Sequence, residues 1–376
     1  MVNPSSISGS SRHISAVEPN ATSEPRQIVQ RDAQTALPTV SQSLVDDMGK
    51  KVQKDGENLA SARKAATTLL AALNDPSADS SVKAKAAQAL VDKIAIGALS
   101  AQLARNALDS GLELARSAGQ PLSSEKGQQI SNELAPVLGK QLDAALSGSG
   151  IERGIGARAS FDDILDGLQD LIGTIKDDYL DVYARLVELY AKLYSDFNSE
   201  VLANMAYWIV PLGDAKGSIQ IDIAGFKRRL LLLMDRYTFP KPDSILFPVP
   251  IAGGAVAGAS KEDAEKWLAA MGLPPSCLKQ LPDGTYCVVI DLLPLTRMIN
   301  GLPAADSNGK ATLLPAAFQA WQAGFNAQQQ ELESALQKHT QKYSNANSIH
   351  DNVQKVISST LSALFEMLKA FAAALG

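Results

Sequence analysis

Cysteine is nearly absent, with two residues in 376, Cys277 and Cys287. They flank a Pro282-Asp283-Gly284 turn. They either pair across a hairpin or sit as two small buried thiols, and the spacing leaves both open, so they do not report the redox compartment. Aromatic residues make up only 5% of the chain, while Ala and Leu dominate many stretches. That bias favours long helices over sandwiches or barrels. An excess of positive charge is also missing: the net charge is −5, which excludes the basic footprint of a nucleic-acid binder. No long apolar run occurs. One long uncharged stretch, 244–260, carries Pro248, Pro250 and a Gly-rich half. Its 17 residues are marginal for a helical membrane span, and it is expected to be a loop. Residues 1–40 have neither a basic n-region nor an apolar h-region, so no cleaved Sec-type leader is expected there. Rich in Ser, Pro and Thr, they are expected to be disordered.

What the chain has is helical periodicity. Two Ala/Leu-rich stretches, 41–73 and 81–118, are separated by the breaker Asn74-Asp75-Pro76-Ser77-Ala78-Asp79 and predict a helical hairpin. The second stretch is apolar on more than one side, so cover on several sides is expected. Residues 123–146 read as a helix interrupted at Pro136, and 148–156 as a linker. Ser160 is a candidate N-cap. From Phe161 to Trp208 apolar residues recur at steps of three and four without a break, through Ile164, Leu168, Leu171, Ile175, Tyr179, Val182, Leu186, Leu193 and Val201. A second such stripe begins near Thr312 and runs through Leu332, Leu336, His339, Tyr343, Ala346, Ile349, Val353, Ile357, Leu361, Leu364 and Leu368. Two stripes of this length predict an intramolecular antiparallel coiled coil. The fold class is therefore mainly α. Its expected divisions are a hairpin at 41–120, a first coiled-coil region at 121–209, a small inserted α/β domain at 210–311 and the last helix at 312–376. Within the insert, 218–223 and 285–291 alternate as strands, and 226–237, 261–271 and 293–300 read as short helices.

No catalytic constellation is present. His13 lies in the N-terminal arm, His339 falls on the apolar stripe as a partly buried polar residue, and His350 is expected to be solvated. There is no HExxH, CxxC pair or phosphate-binding loop, and GGAVAG at 253–258 lacks the GxGxxG spacing. Asp162-Asp163 and Asp177-Asp178 are neighbours that diverge on a helix. No enzyme, cofactor or metal site is expected. One stretch is unusual for a coiled coil: Gln341, Lys342, Ser344, Asn345 and Asn347 put polar residues mid-helix. They either specify register or form a surface that docks another helical protein. With Tyr343 and Ala346 on the seam, Lys342, Asn345 and Asn347 are expected to point partly outward.

The runs FQAWQAGFNAQ at 318–328 and QKYSNANS at 341–348 carry a resemblance. So do Asn204-Met205 with Trp208-Ile209, Ala264-Glu265-Lys266-Trp267 with Gly272-Leu273-Pro274, and Ile290-Asp291-Leu292 with Pro294-Leu295. The chain resembles the IpaD/SipD/BipD family of type III secretion needle-tip proteins over about residues 40–376. The resemblance implies a self-chaperoning hairpin, a coiled coil and an α/β insert. It also implies export through the secretion apparatus on an uncleaved N-terminal signal, and a position at the needle tip on the bacterial surface. There the protein would cap the needle, control secretion and support translocator assembly. Implied partners are the needle subunit, the translocators, further copies in a tip ring, and bile salts in a cleft of the coiled coil. The Ala-rich hairpin and the loop at 251–259 depart from the family pattern beside that cleft. Needle binding is assigned on this basis to Gln341, Lys342, Ser344, Asn345 and Asn347. The alternative is a secreted effector or translocator-like protein contacting host membranes through amphipathic helices; Glu366 and Lys369, which interrupt the last stripe, argue against it.

Overall fold

A computed structural model describes residues 42–120, 122–151, 155, 159–250 and 257–375. The N-terminal arm at 1–40 and most of the Gly-rich loop, 251–256, lie outside the described residues.

Helices α1 (Gln42–Asn74) and α2 (Ser80–Gly119) form the hairpin. The carboxylate of Asp79 caps α2 by accepting from the amides of Ser81 and Val82. Helix α3 (Ser124–Ala145) runs through Pro136 without a break. The interruption expected there does not occur. Pro136 faces solvent, where water can take the orphaned carbonyl, while Ile130, Leu134, Leu138 and Leu142 are buried and hold the helix.

The long first stripe is also not uniform. Ser160 and Asp163 close a capping box on α4 (Phe161–Gly173). A π-helical stretch, Thr174–Leu180, follows, then α5 (Asp181–Glu200). The wider turn rotates the faces, so Lys176 and Leu180 point inward and Tyr179 is only half-buried. A 3-10 turn (Leu202–Asn204) and the short α6 (Met205–Trp208) end the run. Helix α10 (Pro315–Leu375) starts three residues later than expected because 310–313 pair as a strand. Pro315 occupies its first turn, where a missing N–H costs nothing.

Cross-helix pairs fix the directions. Phe197 meets Phe325, the Tyr194 hydroxyl donates to Glu333 at 2.9 Å, and Tyr190 packs on His339 with ring centroids 4.3 Å apart. Numbers falling along α5 while rising along α10 make the two antiparallel. Helix α1 is also antiparallel to α10: Gln337 donates to Asn74 at 2.6 Å, and Arg63 pairs with Asp351 at 2.8 Å. Helix α2 runs parallel to α10, through Lys83–Glu333 at 2.7 Å and through Gly111, which lies against Leu361 and Met48. The last helix thus has neighbours on several sides, and this explains His350. Expected to be solvated, it is instead 1% exposed, because α10 is enclosed at that height. The outer face of α2 behaves the opposite way: Ile96, Leu99 and Leu103, for which cover was expected, are exposed.

Between α6 and α10 lie two three-stranded antiparallel sheets. One has the order β1 (Ile209–Pro211), β2 (Ile219–Asp222), β6 (Lys310–Leu313). The other orders β3 (Ile245–Phe247), β5 (Tyr286–Val289), β4 (Leu278–Gln280). The stretch 244–260, expected to be a loop, therefore begins with a strand, and Ile245 and Leu246 are buried. Helices α7 (Ile223–Arg236), α8 (Lys261–Met271) and α9 (Leu293–Asn300) complete this region. Cys277 and Cys287 are both buried free thiols. The signature aromatics are structural: Phe226 of α7 stacks on Trp208 at 5.0 Å and meets Trp321 and Phe325 of α10, fastening the insert to the coiled coil.

Candidate needle-facing surface on the last helix

The polar stretch of α10 divides into an outer and an inner set. Gln341 and Asn345 are exposed and adjacent, with the Gln341 amide donating to the Asn345 side-chain oxygen at 3.1 Å. Ser344 is half-buried beside them, and its carbonyl accepts from the Ser348 hydroxyl at 3.0 Å. Lys338, one turn earlier, is exposed on the same side, as is Asn352 further on. The sequence reading did not select these two. Stepping outward from the seam residues Leu336, Tyr343 and Ile349 would have found them.

Lys342 is half-buried and donates to the carbonyl of Ala270, near the C-terminal end of α8. That helix ends on Gly272, whose φ of 73° is left-handed, so its last carbonyls are open to a cation. Burial and the neighbouring Lys338 lower the pKa of the Lys342 ammonium. Lys342 therefore joins the rod to the insert as well as bordering the surface. Asn347 differs from expectation: it is 0% exposed, donates to the Tyr343 hydroxyl at 3.2 Å and leaves its own side-chain oxygen without a protein partner. It faces the interior because at this height α10 is packed on both sides of its seam. Of the five expected docking residues, the structure places Gln341, Ser344 and Asn345 on one outer face, puts Lys342 at its border and Asn347 behind it.

The histidines do not offer acid–base chemistry at this surface. His339 is 2% exposed against Tyr190, and burial followed by the charges of Lys338 and Lys342 pushes its pKa down to about 3. Among the described residues no group of three or more His, Cys, Asp and Glu side chains is placed to hold a metal ion. No helix among them is long and apolar enough to cross a membrane. A groove between α1, α2 and α10 is lined by Leu44, Val45, Met48, Leu103 and Phe365, with Lys51 and Asn106 also on its wall.

Residues 8–372 match the family of type III secretion systems tip complex components. The chain belongs to that family. It is 36% identical over 275 residues to the cell invasion protein SipD of Salmonella typhimurium, covering 72% of this chain and 77% of that protein. It is 38% identical over 200 residues to the invasin IpaD of Shigella flexneri, covering 53% and 57%. The crystal structure of the pathogenicity island 1 effector protein from Chromobacterium violaceum is similar at 29% identity and a TM-score of 0.51, over 86% of this chain and 98% of that one. As a tip complex component, the protein has a structural role in the secretion system. Its mainly helical architecture, with long helices and a small antiparallel sheet region, is that of its relatives.

Proposed function

We propose that the chain caps the secretion needle, holds secretion back and supports translocator assembly, and that the outer face of α10 around Gln341, Ser344 and Asn345 docks the needle subunit. The observation that carries the reading is this polar face, exposed on a helix whose other sides at this height are packed. Small polar side chains allow a partner helix to approach and hydrogen-bond, and they are not needed to hold the seam. Lys342 and Asn347 support the face, one by tying it to α8 and the other by bonding Tyr343 behind it. The protein works by protein contacts, reaches the bacterial surface through the secretion apparatus and forms a ring of copies at the tip. The hairpin at 41–120 acts as a built-in chaperone for the coiled coil. Bile salts, if bound, would enter the groove between α1, α2 and α10, whose apolar wall suits a steroid face and whose Lys51 suits an anionic head.

The test replaces the amide pair with a charged one, Gln341→Glu with Asn345→Arg. An acidic residue four positions before a basic one supports a helix, and exposed changes usually fall within about 0.5 kcal/mol. The purified variant is expected to melt with the wild type. Sheared needles from bacteria carrying it are expected to lack the protein, and translocators to leak into the medium. Needles decorated normally by the stable variant would place the docking surface elsewhere.

A further inference from the structure

The helices are lined by two apolar cores, and the break between them falls at one level on α1, α2, the central helix and α10. One core takes Leu59 and Ala62 of α1, Leu90 and Val91 of α2, Leu180 onward in the central helix, and α10 up to Ala346. The other takes Met48 and Val52, Ala104 onward in α2, α4 with Ile175, and α10 from Ile349. Buried polar side chains fill the gap: Asp55 from α1, Ser100 from α2, Lys176 from the π turn, and Asn347, His350, Asp351 and Gln354 from α10.

This layer is incompletely paired. Ser100 donates to one oxygen of Asp55 at 2.7 Å, Gln354 meets the Nε2 of His350 at 3.3 Å, and Lys176 pairs with Asp181 at 2.8 Å. Asp351 holds Arg63 at 2.8 Å and Lys355 at 3.0 Å. The Oδ2 of Asp55, the Nδ1 of His350, the Oε1 of Gln354 and the Oδ1 of Asn347 have no protein partner, four of six such buried side-chain atoms among the described residues. Unpaired buried polar atoms weaken a packed contact, and they are concentrated in this layer, the other two being Gln328 Oε1 and His339 Nδ1 further back along α10. The seam is thus the place where the hairpin is held least firmly on α10, and local opening starts at such places.

We propose that this layer is a proton-sensitive seam, at which the hairpin parts locally from α10 on acidification, with His350 taking the proton while the flanking cores stay closed. The charges acting on His350 are Asp351 on its own helix and Lys176 from the π turn; Asp55 of α1, in the same layer, feels those same two charges, and α2 presents the neutral Ser100. Burial pushes His350 down to about 4 from the ordinary 6.5, with Asp351 acting against that shift and Lys176 adding to it. Closure is therefore favoured fully above about pH 6.5, and that contribution is lost as pH falls toward 4. At pH 5 the difference favours opening by about 30-fold. Asp55 works in the opposite sense. Burial raises its pKa, against the hydrogen bond from Ser100 and the nearby Gln354 amide, so protonating it in acid favours the closed layer. The two groups oppose one another across the seam, and removing either should unmask the other.

Amide exchange of the full chain, corrected for intrinsic rates and compared at pH 7 and pH 5, tests this. In Asp55→Asn, exchange within 52–58, 97–103 and 346–356 is expected to rise about 20-fold between pH 7 and pH 5. Peptides 164–172, 226–233 and 361–368 are expected to stay protected. In His350→Gln, or His350→Phe if the amide folds poorly, the rise should vanish or reverse, and the wild type should fall between. No local rise in Asp55→Asn, a rise shared by the core peptides, or a rise that survives loss of His350 would each overturn the proposal.

Discussion

Leu186 is fully buried on α5, in the core that α5 shares with the hairpin and α10. Leu186→Asp removes that apolar side chain, at a cost of about 2–5 kcal/mol for a large-to-small change in a core. The carboxyl must then be charged without a partner or carry a proton at pH 7. Holding the proton three units above an ordinary aspartate pKa costs about 4 kcal/mol, and that is the cheaper course in a dry site. The total is about 6–9 kcal/mol at neutral pH, comparable to the whole stability of many domains. At pH 4.5 the protonation cost shrinks to about 1 kcal/mol, so most of the excess should disappear. Leu186→Asn pays the packing loss without the titration and should show no such relief. Urea unfolding followed by intrinsic fluorescence, with each variant measured against wild type at both pH values, reads the difference. A cost below about 1 kcal/mol for the Asp variant, or one that does not relax in acid relative to Asn, would mean that water reaches this position and that the two stripes are not packed together.

The thiols of Cys277 and Cys287 are buried, and burial pushes them up to about 12 and about 11. A disulfide-exchange reagent at pH 8 is therefore expected to titrate neither in the native protein and both in denaturant; rapid native labelling would show that the sheet around them opens. Deleting residues 2–20 is expected to abolish export while leaving the far-UV helical signal intact, and normal export of that truncation would move the address elsewhere in the chain.

The long elements were legible because their cause is local. The steps from Phe161 to Leu186 and from Leu332 to Leu368 need only the helical period, and α8 and α9 appear at their expected limits because Ser260 caps one and Pro294 starts the other. Strand β3 was not legible, since Ile245–Phe247 is bounded by prolines and becomes a strand only by pairing with β5. His350 and Asn347 were misplaced for a related reason. A two-stranded seam leaves their positions wet, and only the hairpin and the π turn bury them. The polar layer did leave a trace: Asp55 stands three residues after Val52 and four before Leu59, a charged residue in step with an apolar stripe. The outward position of Asn345 followed from the seam spacing, whereas the tie from Lys342 to α8 joins positions 72 residues apart and has no local signature.

Helix α10 supplies a wall to both apolar cores, and its partners in the hairpin lie far back in the chain; Arg63 and Asp351 are 288 residues apart. During synthesis α1 and α2 can pair as soon as both have emerged, yet neither core can close until α10, sixty-one residues long, is made. Such distant partners make closure slow and late. Until then the nascent protein is a set of half-covered amphipathic helices, easily unravelled or held by a helper, and its final helix is the bolt that ends that interval. A frameshift or premature stop early in α10, before Phe325, would therefore strip one side from both cores at once.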